Sequence, residues 1–493
     1  MQDKFSRAPP AARVLLPSFV VSALAGLDQL LVEYGPLASA FADAGFSLYA
    51  VGGCVRDAIL DGELISDDVD FTTNARPDDI LRLLKPFCGA TWEMGRAFGT
   101  IGGQLKSNGK KVEITTFRSE AYVDSSRKPE VVFGDSLEVD LSRRDFTINA
   151  MAFNLVEPEL IQPADGLSDL YAKRLRTPID AEVLFNDDPL RMMRAARFAS
   201  RFEFEIDQAI EQAAVAMADR ITIVSPERIR GELDLLMMTP RPSIGLDFLV
   251  RTGVAAHFLP ELPGLALEQD PIHHHKDVLT HTYAVVEKVA LTTAPTEEFP
   301  EGQSNLVTRL AALFHDVGKP RTRAFTDNGV TFHGHDHVGA RMTKKRMTAL
   351  KYSQQMIDDV AKLVELHLRF HTYAMGWTDA AVRRYVRDAG HLLNELNELT
   401  RCDCTTRNKR KAQILDQRMN DLEARIAELR AQEDLDSQRP ALSGDQVMAI
   451  LNLTPSRAVG EALNFLLAIR HDEGEISEEE ATTRLLAWWS ERS

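Results

Sequence analysis

The sequence has little of what marks several classes of protein. Four cysteines among 493 residues are too few for a disulfide framework. No run of about 18 apolar residues is present that would span a membrane. Acidic residues outnumber basic ones, and the formal net charge of −16 argues against a protein that coats nucleic acid. A local basic track stays possible, because salt screens each charge beyond about 8–10 Å.

What is present is a globular composition with 44% hydrophobic and 26% charged residues. The length suggests about three domains. Short apolar runs alternate with glycine and aspartate over residues 46–178, which predicts strands with helices at 54–61 and 77–87. Strand signals almost vanish after residue 180. We therefore expect an α+β fold, a small mixed-sheet head followed by helical regions, in a cytoplasmic protein.

A glycine turn and three carboxylates form the first candidate site. Gly52 and Gly53 follow a predicted strand and precede a predicted helix, where backbone N–H groups can approach a phosphate. Asp68 and Asp70 are two residues apart in a predicted strand and should face the same side. Such a pair repels unless a cation lies between them, and Mg²⁺ suits oxygen donors. Glu113 lies in another predicted strand, where a buried carboxylate is costly unless paired or metal-bound.

An arginine-rich helix follows, within residues 187–198. Asp188 and Arg191 are three residues apart and should be neighbours on one helical face, which Arg194 and Arg197 continue. An aspartate accepts hydrogen bonds and an arginine donates them from a planar fork, so together they can mimic a complementary base edge. Asp188 is also a plausible cap for this helix.

The order of these motifs resembles a known family. Gly52–Asp57 followed by Asp68-x-Asp70 is similar to the nucleotidyltransferase head of class II tRNA CCA-adding enzymes and bacterial poly(A) polymerases. Arg143–Ala150, Asp165–Pro178 and Asp187–Phe198 resemble further family motifs in the family order, so the similarity covers about residues 46–250. The resemblance implies template-independent addition or repair of the tRNA 3′-terminal CCA from CTP and ATP.

The resemblance also implies a role for each matching residue. Asp68 and Asp70 would hold Mg²⁺ and act in catalysis, with Glu113 completing the acid cluster. The expected nucleotide-binding residues divide into a triphosphate group, a ribose pair, a base-reading pair and two supporting arginines. In that order they are Gly52, Gly53 and Arg56; Arg144 and Asp145; Asp188 and Arg191; and Arg194 and Arg197.

Histidines in the helical half form a second candidate site. His281, the doublet His315-Asp316 and Asp403 resemble the ligands of the HD superfamily of metal-dependent phosphohydrolases. Imidazole and carboxylate donors together suit Mn, Ni, Co or Fe better than Mg. His335 and His367 fit the additional histidines that some HD proteins use for a second metal.

These resemblances give a domain plan and a set of partners. We expect tRNA, CTP and ATP as partners, no membrane and no obligate protein partner. Poly(A) polymerase or A-only addition stays open, as do HD hydrolysis as the main activity and an RNA-binding module with inactive sites. The expected domains are an N-terminal extension (1–45), the nucleotidyltransferase head (46–178), a helical neck for base and RNA binding (179–260), an HD domain (261–408) and a charged helix with a helical tail (409–493).

Overall fold

The computed structural model confirms the α+β class, with a mixed sheet followed by helices. In the described part of the chain, no helix is long and apolar enough to cross a membrane. All four cysteines are free thiols, as their small number predicts. The structure describes residues 18–62, 68–118, 133–267, 277–291, 305–326, 329–405, 408–437, 440–473 and 476–490.

A seven-stranded sheet forms the head, in the spatial order β3-β4-β5-β2-β1-β6-β7. The central pair β2 and β5 is parallel, and the other neighbours are antiparallel. Two short strand pairs, β8 with β9 and β10 with β11, lie outside this sheet. The strands are β1 Leu48–Val51, β2 Asp68–Thr73, β3 Cys88–Trp92, β4 Thr100–Leu105, β5 Lys111–Thr116, β6 Ala152–Asn154, β7 Glu159–Ile161, β8 Arg174–Leu175, β9 Glu205–Ile206, β10 Ala324–Thr326 and β11 Gly329–Thr331.

Helices make up most of the remaining structure. The helices predicted at 54–61 and 77–87 are present, the second ending in a 3₁₀ turn at Lys85–Phe87. The helices are α1 Ser18–Asp43, α2 Gly53–Asp61, α3 Pro77–Leu84, α4 Leu137–Ser142, α5 Gly166–Tyr171, α6 Ala181–Asp187, α7 Arg191–Phe202, α8 Gln208–Ala216, α9 Pro226–Met237, α10 Pro242–Arg251, α11 Val254–Phe258, α12 Val278–Leu291, α13 Leu306–Phe314, α14 Lys319–Thr322, α15 His335–Ala349, α16 Gln354–Leu366, α17 Asp379–Ala389, α18 Leu393–Asp403, α19 Lys409–Ser437, α20 Gly444–Leu451, α21 Arg457–Glu473 and α22 Glu478–Ser490.

The two faces of the head sheet differ in polarity. Val69, Phe71, Val112 and Ile114 alternate along β2 and β5 and are fully buried. Tyr34 of α1 packs edge-on against Phe71 at 5.2 Å between ring centroids, so α1 belongs to the core of the head. The residues between these apolar positions point to the opposite face. That face carries the acids predicted to act in catalysis.

The described chain divides into two compact units between residues 361 and 362. In the first unit, helix α7 follows the head and buries Met192, Met193 and Phe198 while packing against α9 and α10. In the second unit, α19 buries Met419, Leu422 and Ile426 against its own unit, where it contacts α17 and α18. The tail helices α20–α22 have their own apolar core.

Candidate active site

The sheet register brings the three predicted acids together. Asp70 of β2 pairs alongside Glu113 of β5, and Asp68 lies two residues before Asp70 on the same face. All three residues are exposed. The expectation that Glu113 is buried is therefore wrong: it lies on the open face of the sheet, where its charge needs no buried partner.

The electrostatics of this acid row favour a cation. Asp70 reaches solvent from the floor of a cavity, and desolvation by the surrounding protein raises the pKa of its carboxyl group. The neighbouring charges of Glu113 and Asp68 raise this pKa further, while Arg144 opposes them. An accessible row of carboxylate oxygens that repel one another matches the donor set that Mg²⁺ prefers, so these residues fit that ion.

The glycine turn approaches the acid row at the start of α2. Gly52 has φ +75°, a backbone conformation that favours glycine, and a Cβ atom there would lie 3.1 Å from Nη1 of Arg144. The Cys54 thiol donates to the carbonyl oxygens of Val51 at 3.2 Å and Asp70 at 3.7 Å. Burial raises the pKa of Cys54 to about 12. It therefore stays a thiol that fastens α2 to β2.

Arg56 lies inside the cavity wall. Its side chain is buried, donates to Asp57 at 2.7 and 2.9 Å, and donates to Asn149. Its guanidinium also stacks 4.8 Å from the ring centroid of Phe202. These contacts hold the wall together, and the role of Arg56 as a triphosphate ligand stays a prediction.

Arg144 faces the acid row. It donates to Asp140 at 3.5 Å. The Asp140 carboxylate is buried and accepts from the Thr72 hydroxyl at 3.2 Å and the Arg118 N–H at 3.1 Å. Asp140 thus anchors Arg144 to the head sheet, where the guanidinium can meet a phosphate or a ribose beside Asp70.

Asp145, the other member of the expected ribose pair, faces the helical neck. Its Oδ1 accepts from the Phe146 N–H and from Asn149, both at 2.9 Å, and its Oδ2 accepts from Arg194 Nε at 2.8 Å. Burial alone would raise the pKa of Asp145, but Arg194 and Asn149 outweigh it and hold the pKa below its usual range. Asp145 is therefore an ionised link between the head and α7.

Hydrogen bonds to neighbouring residues orient Asp188 and Arg191, the pair expected to read the base. Asp188 Oδ1 accepts from the Leu190 N–H at 3.2 Å, as a cap does, and Oδ2 accepts from Arg228 Nη2 at 2.7 Å. Arg191 donates to the carbonyl oxygens of Leu184 at 3.2 Å and Arg143 at 2.7 Å. Asp188 immediately precedes α7 rather than lying in it, yet the two side chains line the same cavity.

Arg194 and Arg197 are held by one carboxylate of α9. Glu232 accepts from Arg194 at 3.4 Å and from Arg197 at 2.7 Å. Arg197 also lies 4.3 Å from the ring centroid of Phe198. These contacts favour a supporting role over phosphate binding, since the charges are already compensated.

A cavity of about 450 Å³ joins Asp70 of the acid row to the base-reading pair. Its volume is within the range of small-molecule sites. Seven arginines line this cavity. They form a local basic track, which is compatible with the negative net charge of the whole chain. Asp68 and Glu113 lie outside this lining, which consists of Gly52, Gly53, Arg56, Asp70, Arg144, Asp145, Asn149, Asp188, Leu190, Arg191, Arg194, Arg197, Phe198, Arg201 and Arg228.

Three of the predicted HD ligands lie together in the first unit. His315 Nε2 is 3.3 Å from His281 Nε2 and 3.2 Å from Asp316 Oδ2. His335 Nε2, predicted as an additional ligand, is 3.4 Å from Asp316 Oδ1, and Lys319 Nζ is 2.6 Å from Oδ2. The Nδ1 atoms of His315 and His335 each lie 2.8 Å from a backbone carbonyl oxygen. An Nδ1–H that donates to this carbonyl oxygen orients each ring so that Nε2 faces Asp316.

Asp316 is an ionised carboxylate in this cluster. Burial alone would raise its pKa, but His315, His335 and Lys319 hold the pKa well below its usual range. The imidazole and carboxylate donors fit a transition metal. Asp403 and His367 belong to the second unit, where Asp403 Oδ2 is 3.8 Å from His371 Nε2 and His367 Nδ1 is 2.7 Å from the Val364 carbonyl oxygen. Their roles as metal ligands stay predictions.

Family models match three successive parts of the chain. Residues 48–176 match the poly A polymerase head domain, residues 203–265 match the probable RNA and SrmB-binding site of polymerase A, and residues 278–429 match the HD domain. The A-adding tRNA nucleotidyltransferase of Deinococcus radiodurans is 35% identical over 368 residues, which cover 73% of this chain and 80% of that enzyme. The chain belongs to the tRNA nucleotidyltransferase family.

Other members of the family match a shorter stretch. The CCA-adding enzyme of Lactiplantibacillus plantarum is 41% identical over 230 residues, 46% of this chain and 54% of that enzyme. The chain thus spans about half the length of this CCA-adding relative.

Solved structures in the family share the fold. The CCA-adding enzyme of Bacillus stearothermophilus in complex with CTP aligns with a TM-score of 0.58 at 24% identity, covering 95% of this chain and 98% of that one. The Thermotoga maritima CCA-adding enzyme complexed with tRNA aligns with a TM-score of 0.55 at 19% identity, covering 94% and 98%.

Several residues of the site were not singled out from the sequence. Arg228 and Glu232 lie on α9, and their partners are about 40 residues away in the chain. Asn149 lies within a family motif and contacts both Arg56 and Asp145. The anchor Asp140 precedes that motif without a local signal. Only the tertiary pairing identifies these residues.

Proposed function

We propose that this protein adds or repairs the 3′-terminal CCA of tRNA with CTP and ATP as substrates. The observation that carries this proposal is the cavity that brings Asp70 together with Asp188 and Arg191. An enzyme that selects a nucleotide without a template needs its reacting phosphate and its base-reading groups in one cavity. Family membership supports the same conclusion.

In the proposed mechanism, the tRNA 3′-hydroxyl attacks the α-phosphate of the nucleotide and pyrophosphate leaves. Asp68 and Asp70 would hold Mg²⁺, with Glu113 beside the hydroxyl. When bound, the metal would activate the hydroxyl and neutralise the triphosphate. Gly52, Gly53 and Arg56 would hold the triphosphate, and Arg144 with Asp145 would position the ribose. Asp188 with Arg191 would read the base edge.

The test uses tRNA trimmed of its last three nucleotides, Mg²⁺, and CTP, ATP or both, followed by sequencing of the ends. We expect two C residues and then one A. We expect Asp70→Ala to abolish transfer while its circular dichroism spectrum matches the wild type. Full activity of Asp70→Ala contradicts the mechanism. The absence of extension by the wild-type protein contradicts the function and leaves RNA binding or HD hydrolysis as its activity.

A-only addition is the alternative on the same site. It is favoured by one observation: the Deinococcus radiodurans relative, of which 80% is covered, is an A-adding enzyme. The same assay separates these activities. Extension by a single A, and only of tRNA that already ends in CC, establishes A-addition, while untemplated A runs establish a poly(A) polymerase.

We propose metal-dependent phosphoester hydrolysis as a second activity, carried by the oriented His281, His315, Asp316 and His335 cluster. Mn, Ni, Co or Fe fits this donor set. The wild type loaded with each metal should hydrolyse a generic phosphoester, and His315→Ala should lose that activity while keeping CCA addition. Equal hydrolysis by His315→Ala and the wild type contradicts this assignment.

We also propose the domain boundaries 1–45, 46–178, 179–260, 261–408 and 409–493, in which the first segment packs onto the head through Tyr34 of α1. The cytoplasm is the compartment we propose, since it holds tRNA and nucleotides together. Limited proteolysis with mass spectrometry of the fragments tests the boundaries, which predict cleavage near residues 178, 260 and 408.

A further inference from the structure

The open face of the head sheet carries a tryptophan in the same row as the acids. Trp92 of β3 pairs with Gly102 of β4, Gly102 pairs with Glu113 of β5, and Glu113 pairs with Asp70 of β2. Paired residues on neighbouring strands point their side chains to one face. Because neighbouring strands lie about 4.8 Å apart, the backbone of Trp92 is about 10 Å from that of Glu113.

The indole leans over Gly102, toward Glu113. A Cβ atom at Gly102 would lie 2.0 Å from Nε1 and 2.3 Å from Cε2 of Trp92. The ring therefore occupies the space that a side chain at this position would fill, and glycine is what lets it lie there. Trp92 is half-buried, so the residue stays partly accessible to solvent.

The loop after Trp92 carries two exposed apolar side chains. Met94 is 91% exposed and Phe98 is 50% exposed. Arg96, between them, pairs with Asp78 and Glu93 and so ties the loop to the head.

We propose that Trp92 is the platform on which the 3′-terminal base of the acceptor RNA stacks, so that the terminal hydroxyl lies near Glu113. This inference rests on the proposed nucleotidyl transfer. Aromatic stacking accepts any base, because every base has a π-face. That tolerance suits an acceptor whose terminal base changes after each addition.

A fluorescence experiment tests the platform without requiring catalysis. Acceptor RNA with 2-aminopurine as its 3′-terminal base is bound to the full-length protein in the absence of nucleotides. We expect stacking to quench the fluorescence in the wild type and in Trp92→Phe, and the quench to be lost in Trp92→Ala. Phe325→Ala is the matched control, because Phe325 is 70% exposed but lies in the separate β10–β11 pair and not in the head sheet.

Steady-state kinetics give the second readout. Trp92→Ala should raise the KM for acceptor RNA about 5- to 100-fold, the effect of losing one base–aromatic stack, with a smaller change in kcat. Gly102→Ala should have a similar effect, since the new Cβ displaces the indole. In the Trp92→Ala background, Gly102→Ala should add almost nothing, because the space is then empty.

The outcomes separate this inference from the proposed function. An unchanged quench and KM in Trp92→Ala, with an active wild type, overturns the platform alone. An additive loss in the double variant also overturns it. A wild-type protein that binds the RNA and quenches but extends no tRNA overturns the proposed function and leaves the platform as a binding site.

Discussion

Two different donors share the carboxylate of Asp188. The Leu190 N–H is fixed in the backbone, whereas Arg228 has a side chain that is 53% exposed and can move. We therefore expect Arg228 to set how firmly Asp188 is held for an incoming base. Arg228→Gln should raise incorporation of UTP and GTP relative to CTP and ATP about tenfold, which corresponds to about 1.4 kcal/mol of lost discrimination. The ratio of kcat/KM values measures it.

Arg230→Gln is the control for this prediction. Arg230 lies on the same helix but donates to the Lys351 carbonyl oxygen instead of Asp188. The nucleotide preference of the Arg230→Gln variant should match that of the wild type. An Arg228→Gln enzyme with unchanged preference would show that Leu190 alone orients Asp188.

Asp145 gives a pH-dependent prediction at the residue scale. Asp145→Asn keeps the shape but removes the buried charge beside Arg194, which should cost about 3 kcal/mol of unfolding free energy at pH 7. The folded-state pKa of Asp145 lies below its unfolded value, so this contribution is present above about pH 4 and is lost as pH falls through the folded-state pKa. Urea unfolding should give a constant difference from pH 8 to pH 5. Asp135→Asn, at an exposed ion pair, should change little, and a difference that varies between pH 5 and 8 would contradict this account.

At the scale of elements, α9 joins the base-reading pair to the helical half of the first unit. It carries Arg228 and Glu232, and Arg309 of α13 caps its C-terminal end. Arg309 is 2% exposed and donates to the carbonyl oxygens of Met237 at 2.7 Å and Thr239 at 2.9 Å. A cation at a helix C-terminus is favourable, and buried carbonyl groups without donors are costly.

Arg309→Met should therefore lower the free energy of unfolding by about 3 kcal/mol, because the carbonyl oxygens at the end of α9 lose their donor. It should also weaken CTP binding, because α9, which carries Arg228 and Glu232, is then held less firmly. Arg309→Lys should lose less, since an ammonium group can still donate to one carbonyl. Thermal unfolding and CTP titration measure the two effects. Arg251→Met removes an arginine that is 47% exposed and serves as the control. Equal stability of Arg309→Met and the control would contradict the capping role.

The elements also show where sequence patterns reach their limit. The spacing of Asp68 and Asp70 places both on one face of a strand, and a glycine pair before a helix is a local signal. The position of Glu113 next to Asp70 depends on the parallel pairing of β2 with β5, which no local pattern specifies. Strands of two or three residues, such as β8 and β10, are too short for a periodic signal. Partners such as Glu232 and Arg197 meet only through helix packing.

At the scale of the whole molecule, the charge distribution opposes the net charge. The chain carries −16 overall, yet seven arginines line one cavity. An acidic protein can bind RNA through such a cavity only where the RNA is within a Debye length of those arginines, so the affinity must depend on ionic strength. We expect the affinity for tRNA to fall at least about tenfold between 50 and 200 mM salt, which corresponds to about two phosphate contacts.

One of those phosphate contacts can be assigned to a residue by comparing how steeply the tRNA affinity of different variants falls with salt concentration. Arg201 is 46% exposed at the cavity and lies 3.4 Å from Asp57, so it can exchange that partner for a phosphate. Arg201→Gln should then reduce the slope by about one, whereas Arg251→Gln, outside the cavity lining, should leave it unchanged. A salt-independent affinity would mean that the arginines compensate internal acids only, and the acceptor strand would then be held by stacking and shape.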